Sequence, residues 1–148
     1  MTNVAEELSP SETNLTREHV LRRVNDWQRR INELYDRVSG WLPADVVADR
    51  SGTILMDEEL MRHFAIAPAR LPVLSLSRGD AWIGKLVPQG LWIIGTNGRV
   101  DLVSTAGRAL LIDRSEIFTS SRWSIAPSEH RRRTEALDGA SFKKALGL

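Results

Sequence analysis

Leu91-Trp92-Ile93-Ile94-Gly95-Thr96-Asn97-Gly98-Arg99-Val100-Asp101-Leu102-Val103-Ser104 is the stretch that decides the fold. It joins an apolar run to an alternating one through Asn-Gly, the dipeptide that supplies the two positive-φ residues of a type I′ hairpin turn. It therefore reads as two strands, Leu91–Thr96 and Arg99–Ser104. Working outward, Leu71–Ser77, Ala81–Val87 and Arg108–Asp113 are three further β-rich segments. Arg78-Gly79-Asp80, Pro88-Gln89-Gly90 and Thr105-Ala106-Gly107 separate them and are rich in turn formers. Connections of two or three residues are too short for a parallel crossover, so the sheet is an antiparallel meander. Leu91–Ile94 is apolar at every position, which predicts a middle strand covered on both faces.

The cover for one face lies upstream. Val20, Val24, Trp27, Ile31, Leu34, Val38 and Trp41 recur at alternating spacings of four and three, the seam of an amphipathic helix over 16–42. Thr16 is its N-cap, and Gly40 and Pro43 end it. Glu18–Arg22, Asp26–Arg30 and Glu33–Arg37 are i,i+4 pairs in the favourable acid-first order. The seam has two uses: packing along the sheet, or pairing with a second copy. In the second case those seven residues are an interface and the chain is a dimer.

Thr53–Met56 reads as a short strand, and Asp57-Glu58-Glu59 opens a short helix through Phe64. Trp123-Ser124-Ile125 is one more short strand, and Glu129–Leu137 and Ser141–Leu148 read as short helical turns. The expected fold is α+β: a long N-terminal helix packed on a five- to six-stranded antiparallel β-meander, with short C-terminal helices. Residues 1–15 form a flexible arm, and 16–148 form one domain (helix 16–42, mostly β 53–113, helical tail 128–148).

Composition excludes more than it assigns. The chain has 148 residues and no Cys, which removes disulfides, thiol nucleophiles and cysteine-based metal sites. No apolar run has the roughly 18 residues of a membrane span, and Met1 opens an acidic, polar stretch rather than a signal peptide. A cytoplasmic bacterial protein without membrane contact is the expectation. Net charge is +1, so no global field gathers nucleic acid. Arg outnumbers Lys 17 to 3, as GC-rich genomes produce.

No complete catalytic motif is present. His19, His63 and His130 are scattered and lack the spacing of a metal site, so neither a metal nor another cofactor is expected. No nucleophile elbow and no glycine-rich phosphate loop occurs. Asp101, in Gly98-Arg99-Val100-Asp101-Leu102, and Asp113, after the apolar run Ala109–Ile112, form the one enzyme-like pair. This hairpin resembles that of the PD-(D/E)xK nucleases, in which two carboxylates hold Mg²⁺ at a phosphodiester. The resemblance covers about 18 residues, and Ser115 stands where that family has Lys. It implies Lys85 as substitute cation and Glu33 as third carboxylate. Alternatively Asp101 pairs with Arg99 or Arg108, and Asp113 closes a strand.

Trp27, Trp41 and Trp92 read as core. Trp82, near a strand start, and Trp123, beside Arg122, are candidates for an exposed hot spot or base-stacking surface. Arg131, Arg132 and Arg133 follow His130; with Arg122 they suit either a solvated face or an anion contact. Finally, Leu86-Val87-Pro88-Gln89-Gly90 with Ile93-Ile94-Gly95-Thr96-Asn97-Gly98-Arg99-Val100-Asp101-Leu102, after a helix ending in Trp41-Leu42, resembles a pattern in small, largely uncharacterised bacterial proteins. That implies a shared fold and no activity. The functional expectation is a non-catalytic protein-binding accessory module, of the kind found in bacterial defence or toxin–antitoxin systems. The alternatives are a divergent metal-dependent nuclease and a weak nucleic-acid binder acting through its Arg-rich tail.

Overall fold

A computed structural model describes residues 15–148; the expected arm at 1–15 lies, but for Leu15, outside the described residues. Helix α1 runs Arg17–Trp41, with the Thr16 side chain accepting from the His19 amide. Its seam residues Val20, Val24, Trp27, Ile31, Leu34 and Val38 are buried within this one chain. Then come β1 (Val46–Asp49), β2 (Thr53–Met56), α2 (Glu59–His63), β3 (Ala69–Pro72), β4 (Leu74–Arg78) and β5 (Ala81–Gly90). β6 (Arg99–Ser104), β7 (Gly107–Asp113), β8 (Trp123–Pro127), β9 (Glu135–Ala136) and α3 (Gly139–Leu146) complete the order.

The fold is α+β, with an N-terminal helix and an antiparallel main sheet, as read. The sheet has seven strands in the order β1-β4-β5-β6-β7-β8-β9, and β2-β3 form a separate two-stranded sheet. One face carries Leu74, Leu76, Leu86, Val100, Leu102, Leu111 and Ile125, all buried. α1 and α3 lie over it: the Tyr35 hydroxyl donates to the carbonyls of Pro72 and Leu86, and Leu146 reaches Gly84 so closely that a Cβ there would stand 2.9 Å from its methyl.

Three expectations are corrected. Residues 91–98 are not a strand: β5 runs on through Pro88 to Gly90, Gly90 pairs with Arg99, and 91–98 form the loop that closes the β5–β6 hairpin. Pro88 lies beyond Leu86, the last β5 residue paired with β4, so its missing N–H breaks no ladder bond there. Leu71–Ser77 is split: β3 pairs with β2 as far as Pro72, the Val73 amide bonds Gly52, and β4 begins at Leu74. Residues 129–137 are turns and the two-residue β9, not helical turns: Leu137, the one large apolar side chain there, docks in the core by itself, and the polar run before it has no apolar face at helical spacing.

Candidate functional site

The set implied by the nuclease resemblance is dispersed. Residues paired across neighbouring strands share a face, and successive residues alternate. Asp101 pairs with Val87 and Leu110 on the face away from the helices, whereas Asp113 pairs with Trp123 on the helix-covered face. Asp101 accepts both arms of the Arg99 guanidinium, at 2.7 and 2.9 Å. Glu33, on α1, pairs with Arg29. Lys85 shares the outer face with Asp101 but sits on a different cross-strand row. Among the described residues no group of three or more His, Asp or Glu side chains is placed to hold a metal ion.

Asp113 instead anchors a buried ionic cluster under α1. One carboxylate oxygen takes Arg30 at 2.8 Å, and the other accepts the amides of Ser115 and Arg122, each at 2.9 Å. Burial works to raise the Asp113 pKa; the amides, Ser115 and the Arg30 charge outweigh it and hold the carboxyl below its ordinary value. Arg30 also bonds Asp26 and the Asn97 carbonyl, and Arg23 donates to the Asn97 side chain. At the other end of loop 91–98, the Glu58 carboxylate accepts the amides of Leu91 and Trp92. The loop is thus pinned at both ends, with Ile94 between them 73% exposed.

Trp123 is only 5% exposed and packs its ring 6.1 Å from that of Trp27, so it offers no stacking surface. Arg122 uses its amide on Asp113 and its guanidinium on the Arg114 carbonyl. The helix seam lines the core, and Trp41, its one half-buried member, packs on Phe142. Within this chain the seam packs toward the sheet, with Val20, Trp27, Ile31, Leu34 and Val38 each 0% exposed.

The outer face of the sheet is what remains. Its register sets up cross-strand rows: Val47–Ser77–Trp82, then Asp49–Ser75–Lys85–Val103–Arg108, then Val87–Asp101–Leu110–Ala126. Val47 is 61% exposed and Trp82 45%. A bulge at Leu76/Ser77 sets Trp82 there. Trp82 has the same parity as the inward-facing Gly84 and Leu86; the extra residue, Ile83, flips it outward, while Ile83 itself packs on the core. Lys85 and Arg108 flank Val103 and enter no ion pair among the described residues. The sequence reading singled out Trp82 and Lys85 and missed Val47. The run Val46-Val47-Ala48 after Pro43 was the available signal, a β-branched pair following a helix stop.

No family model, no curated protein and no solved structure matches the chain. No helix among the described residues is long and apolar enough to cross a membrane.

Proposed function

We propose that the chain is a non-catalytic protein-binding module, and that the outer face of its sheet receives a partner protein with carboxylates around an apolar centre. The observation that carries this reading is the exposed pair Val47 and Trp82, one row from the cations Lys85 and Arg108. Trp is among the residues most enriched at interface hot spots, and rim charges select a partner of opposite sign. Asp49, at the edge, is the one opposing charge on that row. A second copy of the chain is the poorer occupant, since it would bring the same two cations.

The test is quantitative capture from a bacterial lysate, followed by purification of the captured protein and calorimetric titration. Trp82→Asp is expected to weaken the purified pair at least tenfold, and Lys85→Glu to weaken it less. Replacing Arg131, Arg132 and Arg133 by Ala is expected to leave it unchanged. A partner indifferent to Trp82→Asp and Lys85→Glu, or no partner at all, overturns the reading.

A further inference from the structure

The end of the molecule where β7, β8 and α3 meet carries a second surface of different chemistry. A half-open cavity of about 230 Å³ lies there, and Arg108, Lys144, Glu129 and Glu135 are among its polar lining. Ala109, Ile125 and Ala126, all buried, are part of its apolar lining. The turn Ser128–Arg133 borders it through Glu129, which lines both this cavity and the shallow depression formed by the turn itself. The turn is fixed rather than trailing. The Ser128 amide bonds the Arg108 carbonyl, His130 bonds Pro127, and Arg133 bonds His130.

Arg131, Arg132 and Arg133 are all exposed, and β8 separates them from Arg122, which stands at its opposite end. Five cations (Arg108, Arg131, Arg132, Arg133 and Lys144) thus stand against two carboxylates, and none of the five enters an ion pair among the described residues. The net charge of +1 conceals this local excess.

We infer that this cationic end binds the phosphate backbone of a nucleic acid, without reading its sequence. Guanidinium forks fit phosphate oxygens, and three of them on one ordered turn offer successive contacts along a polyanion. The cavity is too small for most drug-sized ligands but open enough for a phosphate flanked by Arg108 and Lys144. An acidic protein is the weaker match, because a protein interface needs an apolar core, and among the described residues this end exposes Leu148 alone of the large apolar side chains. Among the described residues no stacking platform for base readout stands beside these cations: Trp123 and Phe142, the aromatics nearest them in sequence, are both buried. The two readings share Arg108; Arg131, Arg132, Arg133 and Lys144 belong to this end alone, so substituting the three arginines of the turn tests it separately from Trp82, Val47 and Lys85.

The experiment is fluorescence anisotropy of the full chain with a labelled duplex of about 20 base pairs, from about 50 to 200 mM salt. Three to four phosphate contacts give a slope of log K against log salt of about −3, and micromolar or weaker affinity at physiological salt. Replacing Arg131, Arg132 and Arg133 by Ala is expected to reduce affinity at least tenfold at 50 mM salt and the slope to about −1. Replacing the same three by Lys is expected to restore most of both. Unchanged melting temperatures for both variants show that the fold is intact. No binding at 50 mM salt, a salt-independent affinity, or full affinity in the Ala variant overturns the inference. So does tighter binding to poly-glutamate than to the duplex, which would assign this end to an acidic protein.

Discussion

Asp113 and Gly98 are the two residues on which the joint between helix and sheet turns. Asp113 is the buried anion for Arg30, and Arg30 has Asp26 as its other carboxylate. Breaking a buried pair leaves an uncompensated charge, at a cost of about 3–5 kcal/mol; Asp26 keeps part of the compensation, so Asp113→Asn is expected at about 3. The folded pKa of Asp113 lies below its unfolded value. Its stabilisation is therefore complete above the unfolded value of about 3.9 and is lost as pH falls through the folded one. Urea unfolding of wild type and Asp113→Asn at a series of pH values checks both statements: the difference between the two stabilities should begin to shrink near about pH 3.9 and close only below the lower, folded pKa. Gly98 has φ +126° and a Cβ there would stand 2.4 Å from the Trp27 ring, which is itself packed against Trp123. Gly107 has nearly the same backbone, φ +131°, and open space where its Cβ would be. Both Ala substitutions carry the backbone strain, and only Gly98→Ala adds the clash. The difference between their unfolding free energies should be about 1–3 kcal/mol, the usual cost of forcing atoms into a packed core.

At the scale of elements, periodicity was legible and long-range anchoring was not. α1 could be read to within a residue because its seam, its Thr16 cap and its Pro43 stop all agree. β6 and β7 were legible for a similar reason, an alternating segment and a continuous apolar one, each bounded by turn residues. Leu91–Thr96 was misread because a continuous apolar run is also what a loop tucked beneath a helix looks like: Leu91 and Trp92 are buried, Ile94 is exposed, and the run has no pairing partner. The bonds that hold it, from Glu58 and from Arg23 and Arg30, span 33 to 74 residues and leave no local trace. For the same reason Asp101 and Asp113 looked like one site; a count along the hairpin shows two carboxylates, while register puts them on opposite faces. The outward turn of Trp82 needs a bulge at Ile83, whose local signal is Gly84, a glycine inside the strand that marks equally well a bulge or the close approach of Leu146. α1 also makes a prediction of its own. Deleting residues 1–42 uncovers Leu74, Leu86, Leu102 and Leu111 and leaves Asp113 without Arg30. The truncated chain is expected to aggregate rather than to yield a soluble monomer, as light scattering on the refolded material would show; a folded, monodisperse product would mean that α1 is not part of the core.

For the whole molecule, the decisive asymmetry is that helices lie over one face of the sheet, while the other, among the described residues, leaves Val47 and Trp82 exposed at one end and buries Leu110 and Ala126 at the other. In a one-layer cover of this kind the open face must be kept from stacking on another copy. Here the apolar side chains Val47, Trp82, Val87 and Val103 are interrupted by Lys85 and Arg108, and the Arg99–Asp101 pair is neutral within itself. Two such faces brought together oppose cations to cations. That repulsion is long-ranged at low ionic strength and falls within a Debye length of about 10 Å at 0.1 M salt to about 3 Å at 1 M, whereas the apolar attraction does not weaken. Sedimentation velocity across protein concentrations is therefore expected to show a monomer at low salt and weak, reversible self-association only near 1 M. Lys85→Gln should move the onset of association to lower salt, and Trp82→Asp should abolish it. A dimer that is tight at low salt and dissociates as salt is added would place the contact elsewhere, on charge pairing rather than on this face. It would also remove the argument that Lys85 and Arg108 await carboxylates from a different protein.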